Sequence, residues 1–270
     1  MQDSDAAPPA LVRRCTAAVP SLPYYLVEPR EKAPDAPLLV AVHGISRNAE
    51  AVAQKFGAAT AMRGVVLAAP EFSRERFPGY QRFGAGGQVS RADQALQTMV
   101  AEIRAGTPYV GRRLWLFGHS GGAQFVHRFV MAWPEKVERY VVSAAGWYTW
   151  PSLEQPFPIG IGWSARLPDA RPIASRFLRV RGRVMVGDRD TRRGPTLNTA
   201  PEIDRAQGDN RVSRGRRFVE ATNALARQLE LPPPLSFQLL PNAGHLFSGM
   251  ASRGGVVSAA LDFLSPDQGA

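Results

Sequence analysis

The chain has 270 residues, 44% of them hydrophobic, which is enough for one compact domain with a large core, and its longest apolar runs are strand-sized, which excludes a membrane span. Its single cysteine, Cys15, excludes an internal disulfide and a cysteine-rich metal site; with four scattered histidines and no H-E-x-x-H pattern, neither a metal nor another cofactor is expected. The net charge of +10 raises nucleic acid as a partner, but arginine is abundant and lysine scarce beside much alanine, glycine and proline, the signature of a GC-rich coding sequence, so no nucleic-acid or membrane partner is expected.

In chain order, residues 1–20 read as an extension with polar and acidic residues ahead of any apolar stretch, unlike a secretory signal. A cytoplasmic location is the default expectation, and secretion is the alternative if Gln2-Asp3-Ser4-Asp5 begins a processed chain. Pro37 to Val42 reads as a strand leading into His43-Gly44-Ile45-Ser46-Arg47-Asn48. A strand at 65–69 follows, and then the loop from Phe72 to Phe83, whose Tyr80 and arginines form a candidate substrate wall suited to a carboxylate or other polar group. A helix over 91–104 shows Leu96, Met99, Val100 and Ile103 as its inner face. Next come a strand at 114–118, a helix at 121–132 that stops before Pro134, and a strand at 138–143. The segment 147–176 is aromatic and proline-rich, too short for a multi-helix lid. Its Trp147, Tyr148 and Trp150 either line an open cleft as substrate-binding residues or pack the loop onto the body. A strand at 183–187, a helix at 214–230, a strand at 235–240 and a helix at 254–264 complete the alternation, which predicts a parallel sheet covered on both faces.

The most informative segment is Leu114-Trp115-Leu116-Phe117-Gly118-His119-Ser120-Gly121-Gly122, a G-x-S-x-G between a buried-strand pattern and a helix. In such an elbow the serine holds a strained conformation at the sharp strand-to-helix turn, and glycines flank it to avoid clashes. A serine hydroxyl needs a base and an orienting acid to act as a nucleophile. His245, on the loop Pro241-Asn242-Ala243-Gly244-His245 after the last strand, is the candidate base, and Asp188 or Asp190 after Gly187 the candidate acid. The other histidines read as structural: His43 satisfies neighbouring backbone, His119 packs beside the elbow, and His127 is a surface or partly buried side chain. The clusters Arg189, Arg192, Arg193 and Arg214, Arg216, Arg217 read as solvated faces; the first lies beside the candidate acid, and its functional reading is a positive rim that attracts an anionic substrate.

From the strand before His43 to the C-terminal helix the chain resembles the α/β-hydrolase superfamily, whose members share the order Ser120, acid, His245. The resemblance implies an α/β-hydrolase fold: a mostly parallel sheet of about eight strands with helices on both faces, in one domain over 1–270 with no large cap. The family's glycine, two residues, then aspartate favours Asp190 over Asp188, and its oxyanion hole implies the backbone N–H groups of Gly121 and Ile45. The pair His43-Gly44 with Asn48, and an elbow ending in two glycines, look most like polyhydroxybutyrate-depolymerase and feruloyl-esterase-type members. That implies a cofactor-free serine esterase acting through an acyl-enzyme on a small-molecule or polymeric ester, with the oligomeric state open. The competing classes are a serine peptidase of the oligopeptidase type and a non-catalytic binding protein on a hydrolase scaffold.

Overall fold

The computed structural model describes residues 9–18, 21–84, 90–165, 167 and 172–265. Parts of the expected N-terminal extension (1–8 and 19–20) and of the expected insert (166 and 168–171) lie outside these residues. Eight strands, β1 (Val12–Cys15), β2 (Pro23–Val27), β3 (Ala36–Val42), β4 (Val66–Pro70), β5 (Val110–His119), β6 (Arg139–Ser143), β7 (Arg181–Gly187) and β8 (Leu235–Leu240), form one open sheet in the order 1-2-4-3-5-6-7-8. β2 pairs antiparallel with β1 and with β4, and every other pairing is parallel. The carboxyl ends of β3, β5, β7 and β8 therefore open on the same edge, where loops can converge.

Strand periodicity divides the core in two. On β3, Leu38, Val40 and Val42 point to one face, together with residues of α2 (Ala92–Gly106), α3 (Gly121–Ala132) and α6 (Arg211–Gln228). Leu39 and Ala41 point to the other, covered by α1 (Ala49–Met62) and α8 (Val256–Leu264), where Phe56 meets Phe117 at 4.8 Å between ring centroids. Both faces of the central strands are thus dry, which explains their continuous apolar runs. Burying each such Phe or Leu contributes about 2 kcal/mol.

The remaining helices are short: α4 (Ala174–Phe177), α5 (Pro201–Gln207) and α7 (Phe247–Ser252). Among its described residues the 147–176 segment holds no helix before α4. It is instead stitched to itself by Trp150 N–H to Ile159 O (2.7 Å), Ile161 N–H to Ser152 O (2.9 Å) and Phe157 N–H to Gly162 O (3.2 Å). No helix among the described residues is long and apolar enough to cross a membrane.

The structure adds elements that the sequence pattern conceals. α1 is alanine-rich with little contrast between its faces, and β1 carries an exposed Val-Arg-Arg-Cys with no apolar run. α6 begins at Arg211, ahead of the expected 214, because Asn210 and Ser213 close a capping box: Asn210 Oδ1 accepts from Ser213 N–H at 2.9 Å while Ser213 Oγ accepts from Asn210 N–H at 3.3 Å.

Candidate active site

The site is built at the end of β5. Ser120 sits between β5 and α3 with φ 54° and ψ −110°, a conformation that L-residues rarely adopt. Two hydrogen bonds hold it there: its N–H donates to Ser143 O on β6 (2.7 Å), and its carbonyl accepts from Gln124 N–H (3.1 Å). The flanking glycines are required by close approach. A Cβ on Gly118 would lie 2.3 Å from the Gly122 oxygen, and one on Gly122 would lie 2.2 Å from the Val42 oxygen, so strand, turn and helix pass backbone against backbone.

The loop after β8 brings His245 over this turn. Ser120 Oγ and His245 Nε2 lie 3.1 Å apart, and His245 Nδ1 and Asp190 Oδ2 2.9 Å apart. A carboxylate only accepts, so Nδ1 carries the proton and Nε2 turns its lone pair to the serine hydroxyl. The loops after β7 and β8 are sewn together by Asp188 N–H to Leu240 O (3.0 Å) and Arg189 N–H to Ala243 O (3.0 Å). Asp190 is buried at 4% exposure and accepts at Oδ1 from Arg211 Nη1 (3.3 Å), whose Nη2 donates to Thr196 Oγ1 (2.9 Å). Asp188 does a different job: its carboxylate accepts from Asn242 N–H (3.1 Å) and Ala243 N–H (3.2 Å), closing the loop that carries His245.

On the other side of Ser120 lies the turn after β3. Ile45 N is 3.2 Å from where a Cβ on Gly121 would stand, so the two backbones run side by side next to the serine. Among the described residues neither the Gly121 nor the Ile45 N–H is given to a protein acceptor. Arg47, at φ 59°, ties the turn down: its N–H donates to Gly44 O (3.0 Å), and its guanidinium donates to the carbonyls of Phe72 and Phe77.

No protein-family model matches the sequence, and no curated protein matches it. Among solved structures, poly(3-hydroxybutyrate) depolymerase LpqC from Bordetella parapertussis is similar at 28% identity, covering 96% of this chain and 91% of that one, with a TM-score of 0.78. Poly(aspartic acid) hydrolase-1 from Sphingomonas sp. KT-1 superposes with a TM-score of 0.80 at 24% identity, over 94% of this chain and 99% of its own. A ferulic acid esterase follows at a TM-score of 0.60 and 12% identity, over 97% and 99%.

The chain has the α/β-hydrolase fold. In this fold the three remaining histidines are neutral structural parts. Phe72 N–H donates to His43 Nε2 (3.1 Å), so the ring proton sits on Nδ1 and goes to Gly44 O (2.8 Å), and burial holds the pKa at about 4. His119 packs 5.2 Å from the His245 ring and 5.4 Å from Phe247; burial first, then the nearby His245, depress its pKa to about 3. His127 departs from the sequence expectation of a surface or partly buried ring. It is 1% exposed, accepts from Thr149 N–H at Nε2 (2.9 Å) and donates from Nδ1 to Ala123 O (2.8 Å), and burial drives its pKa well below the usual value.

Most of the expected substrate-binding residues are buried in this structure. Tyr80 is fully buried and donates to His43 O (2.8 Å) under the Arg47 guanidinium, so it braces the Ile45 turn, with its hydroxyl beside Gly121. Tyr148 is fully buried, stacked on Phe218 at 4.2 Å, and Trp147 lies beneath the Arg128 guanidinium at 4.2 Å. Only Trp150 among the four keeps intermediate exposure. These rings pack the insert onto α3 and α6 because a loop of this length offers no other cover for its own apolar surface. Arg214, expected on a solvated face, is buried, donating to Gly208 O (2.7 Å), Asn198 O (2.7 Å), Gly146 O and Asp204 Oδ1. Sequence reasoning missed the half-buried Arg47 and the buried Arg211 and Arg128; arginine in this composition reads as surface, and only the capping box ahead of Arg211 hints that its helix starts against the acid loop.

Proposed function

We propose that this α/β-hydrolase cleaves carboxylic esters by acyl transfer, with Ser120 as nucleophile, His245 as general base and Asp190 as the acid that fixes the imidazole. The observation that carries the reading is the continuous path from Ser120 Oγ to His245 Nε2 (3.1 Å) and from His245 Nδ1 to Asp190 Oδ2 (2.9 Å), set on a serine held at positive φ. His245 takes the hydroxyl proton as Oγ attacks the carbonyl carbon, and the N–H groups of Gly121 and Ile45 receive the oxyanion. Collapse breaks the ester C–O bond, and His245 returns its proton to the leaving alcohol. Water then repeats the sequence on the acyl-enzyme and frees the acid and Ser120. Asp190 keeps the imidazole in the tautomer that accepts from serine, and Arg211 compensates the buried carboxylate.

The solved neighbours act, by their names, on poly(3-hydroxybutyrate), poly(aspartic acid) and ferulic acid esters, which supports acyl hydrolysis; the second of them keeps amide cleavage as the alternative reading. A fluorophosphonate probe tests the proposal directly. One covalent adduct on the tryptic peptide bearing Ser120, lost in His245→Ala, is the expected result; no adduct on the folded protein would refute it.

A further inference from the structure

His245 also lines a cavity of about 380 Å³ whose wall includes Arg189, Arg192, Arg211 and Arg253 but, among the described residues, a single carboxylate, Asp190. That carboxylate is already engaged by His245 and Arg211. The nearest acids along the chain are committed elsewhere: Asp188 to the Asn242 and Ala243 amides, Asp204 to Arg193 and Arg214. Among the described residues Arg189 has only a neutral partner, Asn242 Oδ1 (2.6 Å). Arg192 and Arg253 are exposed, and among the described residues neither guanidinium has an ion-pair partner. Arg211 supplies an independent sign: it is 2% exposed, it lines the cavity, and among the described residues its Nε–H has no acceptor, an arrangement that leaves a buried donor for an anion to satisfy. A recess lined by one sign of charge concentrates field and raises the local concentration of the opposite ion.

The shared residue His245 suggests which part of the substrate would enter. His245 hands its proton to the leaving oxygen, so the leaving group lies on the His245 side of Ser120, and His245 itself lines the arginine-rich cavity, whose wall includes neither oxyanion residue. Resting on the hydrolase reading above, we propose that the substrate is an ester whose leaving alcohol carries a free carboxylate, a hydroxy-acid ester, with Arg192, Arg253 and Arg211 receiving that carboxylate.

The test compares para-butanoyloxybenzoic acid with its methyl ester, which share the acyl group and differ in charge on the leaving phenol. Wild type and Arg192→Gln/Arg253→Gln are assayed on both, so that intrinsic leaving-group reactivity cancels in the ratio of kcat/KM values. The acid-to-methyl-ester ratio should fall about tenfold in the double variant, as expected for losing two partly solvated charge contacts, and should fall in wild type as salt is raised. Arg192→Lys/Arg253→Lys, which keeps the charge, should restore most of the ratio. A second pair, mono(p-nitrophenyl) succinate and p-nitrophenyl pentanoate, places the charge on the acyl side, and its ratio should move less. An unchanged ratio in the folded double variant, with the methyl ester still cleaved in a Ser120-dependent way, overturns this assignment and leaves the hydrolase reading standing. An equal fall for the acyl-side pair also overturns it. Inertness of wild type toward both pairs would take the hydrolase reading down with it.

Discussion

The two aspartates after β7 offer a sharp contrast, because they stand two residues apart and the structure gives them different partners. In Asp190→Asn, Arg211 Nη1 can only donate, so it selects the amide oxygen and turns the amide NH₂ toward His245 Nδ1. Nδ1 must then accept, the ring proton moves to Nε2, and the group 3.1 Å from Ser120 Oγ becomes a donor unable to take the hydroxyl proton. By analogy with triad acids in other serine hydrolases this wrong tautomer costs about 10⁴ in kcat, or about 5 kcal/mol of barrier. Asp188→Ala removes acceptors from Asn242 and Ala243 N–H on the half-exposed loop, a stability loss of about 1–2 kcal/mol, with turnover reduced about tenfold at most through slack in the His245 loop. The assay is kcat/KM on p-nitrophenyl butyrate beside a thermal melt of each variant. A folded Asp188→Ala that loses as many decades as Asp190→Asn would refute the reasoning.

Arg211→Met leaves the Asp190 carboxylate buried without its cation and should destabilise the fold by about 3 kcal/mol, read as a lowered urea midpoint; an unchanged midpoint would show that the ion pair contributes nothing. The buried histidines set an acid limit. The native pKa values of His43 (about 4), His119 (about 3) and His127 (well below) are depressed from 6.5, so their contribution is fully present above pH 6.5 and is lost as pH falls toward the native values, because the unfolded chain binds protons that the native state refuses. His43 alone accounts for about 3 kcal/mol across that gap, and urea midpoints should drop steeply from pH 6.5 to about 4, a flat profile counting against their neutrality.

How much of this was legible in the chain follows from the kind of signal each part carries. The strand-to-helix switch around Ser120 is local: an apolar run, two glycines forced by backbone crossing and a helical spacing stopped by Pro134, so both its element boundaries and its geometry could be read. The position of His245 after the last strand was likewise visible, since a buried parallel strand ends in a loop at the sheet's functional edge. Residues whose role depends on long-range burial were not. Tyr80, Tyr148, His127 and Arg214 belong to residue types found equally at surfaces and in satisfied interiors, and nothing nearby in sequence reveals that Tyr80 reaches His43 across 37 positions or that Arg214 reaches Gly146 across 68. The antiparallel pair β1 and β2 was hidden for a related reason: an edge strand with exposed arginines lacks the apolar pattern that marks the central strands.

The central claim is that Ser120 is the nucleophile of an ester hydrolase, and hydrolysis of p-nitrophenyl esters from acetate to palmitate by wild type and by Ser120→Ala tests it most directly. The account predicts turnover by wild type that falls by about 10⁴ to 10⁶ in the alanine variant, with the melt unchanged. Near-normal turnover in a folded Ser120→Ala protein would contradict it.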